Sequence, residues 1–346
     1  MEQQEHKRRV RYRGTHPTKY SEKYKELQPE KYAGEIEHIK RSGRTPAGMH
    51  IPICVNEILE ILQIKPGEVG YDATLGYGGH SRKLLEGLGG RGHLYATDVD
   101  PIESEKTVRR LAALGYGPEI FTLRNLNFAR VDEVAPGVRF DFVLADLGVS
   151  SMQIDDPERG FSFKHDGPLD LRLDQTRGET AAERLKKLSR EELESIFIEN
   201  SDEPYAHEIA SAISSRLKAG EEIVTTRKLA AVIERALNFI PEKERGETVK
   251  KSCQRVFQAI RIDLNSELEV LCEFLEKLPD VMNSGGRIAI LTFHSGEDRM
   301  VKKAFKQFYA EGVFSDIARD VIRPSAEECY NNPRARSTKL RWAIRA

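Results

Sequence analysis

Apolar positions along the chain fall into short runs separated by helix-length segments of period 3.6. Val69-Gly70-Tyr71-Asp72 reads as a strand, and a helix is predicted through Ser81–Leu88. A second strand is predicted near His93–Thr97, and Pro101, suited to a first helical turn, opens a helix running to Leu114. Ile120–Leu123, a short helical piece near Phe128–Glu133 and the run Phe140–Asp146 bring the series to four strands with three helices between them. Such alternation predicts a parallel sheet with helices on both faces.

The alternation then stops. Residues 156–252 contain no strand pattern but several amphipathic helices. Thr180-Ala181-Ala182-Glu183 and Ser189-Arg190-Glu191-Glu192 both match the capping box of a helix start. Ala206, Ile209, Ala210, Ile213 and Leu217 recur at helical spacing, as do Leu229, Val232, Ile233 and Leu237. These stripes are expected to be plain core. After one long helix, Gln254–Leu278, the sheet pattern resumes: a turn at Ser284-Gly285-Gly286, a strand Arg287–Phe293, a helix through Asp298–Phe308, and a last run Leu340–Ile344 expected at the sheet edge. The expected organisation is an α/β sheet domain split in sequence into 47–155 and 253–346, with an all-helical domain, 156–252, inserted between its fourth and fifth strands.

Composition changes this picture at one place. The 346 residues carry a net charge of −1, which by itself announces no nucleic-acid partner. Residues 1–46, however, hold twelve Lys/Arg against seven acids, together with Tyr12, Tyr20, Tyr24 and Tyr32 and few aliphatic residues. This basic arm is expected to be partly disordered, and either a solvated tail or an arm that finds RNA phosphates. No apolar run approaches the ~18 residues of a membrane helix, and the N-terminus lacks the apolar core of a secretory signal. Cys54, Cys253, Cys272 and Cys329 are scattered, which argues against a disulfide framework or a zinc site and fits a reducing cytosol. A cytoplasmic protein with no membrane partner and no metal is expected.

Candidate chemistry centres on Asp72-Ala73-Thr74-Leu75-Gly76-Tyr77-Gly78-Gly79-His80. A strand, a glycine-rich turn, a helix start and a later acid, Asp98, predict a site for an adenosine-containing cofactor, with the acid on the ribose hydroxyls. Dinucleotide sites place a pyrophosphate on the helix N-terminus and use Gly-x-Gly-x-x-Gly. Asp72, four residues before Gly76, would repel a pyrophosphate. It suits S-adenosylmethionine, whose amino-acid end carries an ammonium and whose sulfur is cationic. An NAD-dependent oxidoreductase is therefore the weaker reading, and a non-catalytic RNA-binding protein of the same fold is a third. Asp146 ends the fourth strand, where the methyl acceptor is expected. No cysteine stands near it, which argues against covalent attack on a pyrimidine and leaves an exocyclic amine or a hydroxyl as acceptor. Asp146, accepting a hydrogen from such an amine, would raise its nucleophilicity.

His294, near the end of the fifth strand, is a candidate to orient the acceptor or carry a proton, the plainer alternative being a satisfied turn histidine. Arg334, Arg336 and Lys339 form a basic run that is either a solvated face or a phosphate contact. Asp155-Asp156 and Glu297-Asp298 read as solvated or helix-starting acids.

Several motifs in order closely resemble the ribosomal small-subunit RNA methyltransferase H (MraW) family over about residues 48–346. They are His50-Ile51-Pro52-Ile53, Gly78-Gly79-His80-Ser81-Arg82, Asp98-Val99-Asp100-Pro101, Asp146-Leu147-Gly148-Val149-Ser150-Ser151, Arg159-Gly160-Phe161-Ser162-Phe163 and Asp166–Arg172. Phe257–Ile262, Asn265-Ser266-Glu267-Leu268, Phe293-His294-Ser295 and Asn332–Ser337 continue the series. The resemblance implies a Rossmann-like S-adenosylmethionine-dependent methyltransferase domain with an inserted helical domain that recognises substrate. The implied activity is methylation of a cytidine N4 amine in the decoding region of 16S rRNA, with the small ribosomal subunit as partner and a monomer or homodimer as the assembly. Cofactor contacts are implied at Gly78, Gly79, His80, Asp98, Phe128, Asp146 and Gln153, with Phe128 as an apolar wall for adenine. Three features depart from the family pattern: the arm 1–46, a glycine at position 296 where leucine is common, and a shorter segment between Phe308 and Asn332.

Overall fold

The computed structural model describes residues 52–346; the basic arm 1–46 lies outside the described residues. Among the described residues seven strands, β1 (Val69–Asp72), β2 (His93–Thr97), β3 (Phe121–Arg124), β4 (Phe140–Asp146), β5 (Met282–Thr292), β6 (Phe314–Ile317) and β7 (Lys339–Arg345), form one sheet in the order β3-β2-β1-β4-β5-β7-β6. The first five are parallel, and β7 runs antiparallel to both β5 and β6.

The central strands are covered on both faces, which is why they read as unbroken apolar runs. Alternate residues of β4 serve opposite layers. Phe142 and Leu144 enter a core with Leu62, Leu84, Leu85 and Leu94, whereas Val143 and Ala145 enter one with Tyr71, Phe274, Ile288 and Phe305. Helices α1 (Val55–Leu62), α2 (Gly79–Leu88), α3 (Pro101–Ala112) and α4 (Val131–Val134) pack on these layers, joined by the two later helices that carry Phe274 and Phe305; the short α5 (Ser151–Asp155) sets Ile154 against a third cluster.

Five helices follow: α6 (Ala181–Lys187), α7 (Arg190–Ser201), α8 (Ala206–Lys218), α9 (Thr226–Ala236) and α10 (Glu242–Asn265). They enclose a separate apolar cluster that takes in Phe197, Ile209, Ile213, Leu229, Ile233 and Phe257. Both expected capping boxes are present: Thr180 with Glu183 opens α6, and Ser189 with Glu192 opens α7. The chain then returns to the sheet through α11 (Glu267–Lys277), β5, α12 (Ser295–Ala310), β6, α13 (Ala326–Asn331) and β7.

Three expectations are corrected. The single helix expected over Gln254–Leu278 is two, broken at Ser266, whose φ of 49° is left-handed. β5 begins at Met282 and so takes in the expected Ser284–Gly286 turn, with an irregular register where it leaves Phe140. The last strand is interior: β6, half-polar and short, covers its outer side. No described helix is long and apolar enough to cross a membrane, and the four cysteines are free thiols.

Candidate active site

The strand order reverses between β1 and β4, and ligands of such sheets bind outside the strand C-termini at that reversal. Asp72 ends β1, Asp98 follows β2, and Asp146 ends β4, so three carboxylates meet at one rim.

Asp72 is 1% exposed. Its Oδ1 accepts from the Thr74 N–H at 3.0 Å and its Oδ2 from the Ser81 hydroxyl at 2.5 Å, so it fastens the two ends of the glycine turn. Burial pushes its carboxyl up, against the pull of these donors. Within the turn Gly78 has φ 77°, and a Cβ there would lie 2.7 Å from Thr107 Cγ2, so a side chain is excluded by conformation and by space. Asp98 Oδ2 accepts from the Gly76 N–H at 2.7 Å and Oδ1 from the Asp100 N–H at 2.8 Å. Desolvation outweighs these two donors and pushes its carboxyl up to about 6.

Asp146 is anchored by its own N–H, which donates to Thr74 Oγ1 at 2.7 Å. Its Oδ2 lies 3.4 Å from His80 Nε2. Asp146 Oδ1 and His80 Nε2 are both buried with no hydrogen-bond partner among the described residues. Gln153 closes a capping box with Ser150, accepting from the Ser150 N–H at 2.9 Å through Oε1. Gly78, Gly79, His80, Asp98, Asp146 and Gln153 thus lie on elements that converge on the reversal.

Phe128 is half-buried, its ring edge-on to Phe274 at 5.2 Å. A cavity of about 950 Å³ opens beyond Asp98, and its walls come from Val99, Leu126, Asn127, Arg172, Leu173 and Asn265 rather than from Phe128. His294 caps α12: Nδ1 accepts from the Glu297 N–H at 3.4 Å, and Nε2 lies 3.2 Å from Glu297 Oε1. Both ring nitrogens therefore address Glu297, a geometry that serves the helix start.

Glu297 and Asp298, expected to be solvated or helix-starting, do stand in the first turn of α12, yet they are 3% and 9% exposed. Asp298 takes Lys339 at 3.0 Å and Arg341 at 2.6 Å. Asp155 takes the Arg334 guanidinium, at 2.6 and 3.2 Å. Of the basic run, then, Arg334 and Lys339 are engaged within the protein, and Arg336 is exposed. A histidine does stand at ligand distance from the acids: Glu267, His294 and Glu297 each offer an atom within 4.8 Å of the others. Arg261, however, already binds both oxygens of Glu267, at 2.7 and 2.8 Å.

Thr74 and Ser81, which brace the rim, and Asp100 and Arg159, which lie behind it, stood in the motifs without an individual role.

The residues present suit S-adenosylmethionine: two orphaned polar atoms at Asp146 and His80, a glycine turn without room for a Cβ, and a carboxylate after β2. A family model described as MraW methylase family matches residues 47–346. Ribosomal RNA small subunit methyltransferase H 1 of Lachnoclostridium phytofermentans is 65% identical over 342 residues, covering 99% of this chain and 93% of the relative. Its namesake in Agathobacter rectalis is 62% identical over 346 residues, covering 100% of this chain and 99% of the relative. Ribosomal RNA small subunit methyltransferase H of a Cyanothece species is 40% identical over 300 residues, 87% of this chain and 96% of the relative. The first two pairings extend into the basic arm, which the family model leaves out. With the glycine turn, the three rim acids and a match over nearly the whole described chain in agreement, this protein belongs to the MraW methylase family.

Proposed function

We propose that this protein methylates the N4 amine of a cytidine in the decoding region of 16S rRNA, in the cytoplasm, on the small ribosomal subunit. The observation that carries the reading is Asp146: a carboxylate fixed at the strand-order reversal, with one oxygen near His80 and the other buried without a donor. Bound S-adenosylmethionine supplies an electrophilic methyl group on a sulfonium. Asp98 holds the ribose hydroxyls, His80 backs the methionine end, and the backbone of Gly78 and Gly79 allows close approach. Asp146 accepts a hydrogen of the target amine, turning its delocalised lone pair toward the methyl group, and alignment does most of the rest. No thiol is needed, because the exocyclic amine itself attacks the methyl carbon as the sulfur–carbon bond breaks, with no covalent enzyme intermediate.

The helical unit between β4 and β5 is the substrate-recognising part in this reading, and Arg336, with Arg334 and Lys339 behind it, is the phosphate-facing edge. The test is mass spectrometry of 16S rRNA from cells lacking the gene. Loss of an N4-methylated cytidine from the decoding region is expected, and unchanged content overturns the assignment.

A further inference from the structure

Arg159 is 9% exposed and has no part in the chemistry above. Its Nη1 donates to Asp100 Oδ2 at 2.7 Å, and its Nη2 donates to the carbonyls of Arg172 at 3.2 Å and Leu173 at 2.8 Å. Its own carbonyl accepts from the Leu171 N–H at 3.1 Å. One residue therefore grips the strap 171–173 twice. Asn265, at the end of α10, grips it from the other side: Oδ1 accepts from the Leu173 N–H at 2.8 Å, and Nδ2 donates to the Leu171 carbonyl at 2.9 Å. Between the clamps Leu171 is held at φ 63°, a conformation that persists in a leucine only where its surroundings over-determine it. Gly160, next to Arg159, has φ 71°, and a Cβ on it would meet the Pro168 carbonyl oxygen at 2.3 Å.

Asp100 faces the other way as well. Its Oδ1 caps α3, accepting from the N–H groups of Ile102 and Glu103 at 3.1 and 3.0 Å. Its N–H donates to Asp98 Oδ1, and Asp98 Oδ2 accepts from Gly76. A continuous set of hydrogen bonds thus runs from the glycine turn through Asp98, Asp100 and Arg159 to the strap. Arg172 and Leu173 of that strap line the cavity opposite Val99 and Asn127. A planar guanidinium meets three acceptors in fixed directions, which an ammonium on a flexible stem does not. A buried ion pair resists separation, because each partner left alone is an uncompensated charge. The strap is thereby tied, through Arg159 and Asp100, to the acid after β2.

We propose that Arg159 is a positioning residue that couples the two binding events: cofactor seated on Asp98 fixes the strap, which belongs to the helical unit read above as substrate-recognising, and RNA bound by that unit tightens the cofactor in return. The proposal rests on the reading of the chain as an RNA methyltransferase that holds its cofactor at Asp98. Reciprocity is required of any such linkage, which typically amounts to about 5–150-fold.

The test is equilibrium dialysis of radiolabelled S-adenosylhomocysteine against the full-length protein, with and without small ribosomal subunits from cells lacking the gene. In the unaltered protein, subunits are expected to tighten binding about tenfold. In Arg159→Lys the factor is expected to fall to about two or less, with affinity for S-adenosylhomocysteine alone changed less than about threefold. Asp100→Asn keeps an oxygen to cap α3 and loses the ion pair; it should behave likewise, and decides the matter if Arg159→Lys does not fold. Retained coupling in the folded variants overturns the proposal. So does a loss of affinity for S-adenosylhomocysteine alone that matches the loss with subunits, the mark of a purely structural role. Methylation of the same subunits is followed in parallel. Methylation without tightening overturns the coupling alone, whereas absence of methylation overturns the underlying reading and the coupling with it.

Discussion

His80 Nε2 lies 3.4 Å from Asp146 Oδ2, joining the start of the first crossover helix to the end of the fourth strand across the point where the sheet reverses its order. Buried polar atoms without partners cost about 1–3 kcal/mol each, and His80 Nε2 and Asp146 Oδ1 are two of them. Concentrating such atoms at a crevice is uneconomical for folding. It is what a site does when a ligand completes it.

Asp146→Asn tests this most directly. The backbone anchor to Thr74 Oγ1 does not depend on the side chain, and the substitution keeps shape while removing charge. Methyl transfer should fall by at least about 10²-fold, the lower range for a positioned acid or base. The thermal midpoint should stay within a few degrees. Full activity in the folded variant would remove Asp146 from the chemistry.

What the sequence made legible was whatever depends on neighbours along the chain. β1, β2 and β4 announced themselves through apolar runs, and α6 and α7 through reciprocal capping residues three apart. What stayed hidden depends on distant partners. Ser266 breaks a helix that periodicity would continue, at the point where Asn265 turns to bind Leu171 and Leu173. Glu297 and Asp298 look like helix-starting acids; the cations of Asp298 come from β7. For the candidate site, the glycine turn and its acids were readable as residue types in order. Asp72 as a brace of the turn, and Phe128 against Phe274, needed coordinates.

Cofactor binding should depend on pH through Asp98. With its carboxyl pushed up to about 6, Asp98 takes up a proton as pH falls through that value and loses acceptor capacity for ribose hydroxyls. Affinity for S-adenosylhomocysteine, measured by calorimetry, should therefore weaken between pH about 7 and about 5. The stability term has the opposite sense. A carboxyl whose folded value is raised contributes most below its unfolded value near 3.9, and that contribution is lost as pH rises through the folded value. Asp98→Asn should flatten the binding profile; an unchanged slope in that variant would assign the titration to another group.

The basic run near the C-terminus should split into two behaviours. Arg334 binds Asp155 through two nitrogens and also the Ser151 carbonyl, so Arg334→Ala should cost about 1.5–3 kcal/mol of stability, the range for hydrogen bonds to charged groups. Arg336 is exposed, and Arg336→Ala should leave the melting temperature unchanged. It should reduce the slope of log affinity for RNA against log salt by about 1, as loss of one phosphate contact does. An equal fall in melting temperature for both variants would refute the division.

His294 is best separated from catalysis by its partner. Burial alone would push the Glu297 carboxyl up, yet the hydrogen bond of His294, the Phe293 N–H and the Arg261 guanidinium together hold it below its ordinary value. A carboxyl with a lowered folded value contributes stability above its unfolded value, and loses it as pH falls through the folded one. Glu297→Gln should therefore lower stability at neutral pH and narrow the difference from the unaltered protein in acid, as followed by thermal melts. His294→Ala removes the cap of α12 and should cost about 1 kcal/mol, whereas His294→Asn supplies another capping oxygen and should restore most of it. If the ring serves only to hold the helix start, turnover in His294→Asn stays within about fivefold, far from the 10²-fold or more that loss of a positioned acid or base brings. A loss of turnover in His294→Asn as large as that in Asp146→Asn, at an unchanged melting temperature, would instead put the imidazole on the path of the proton.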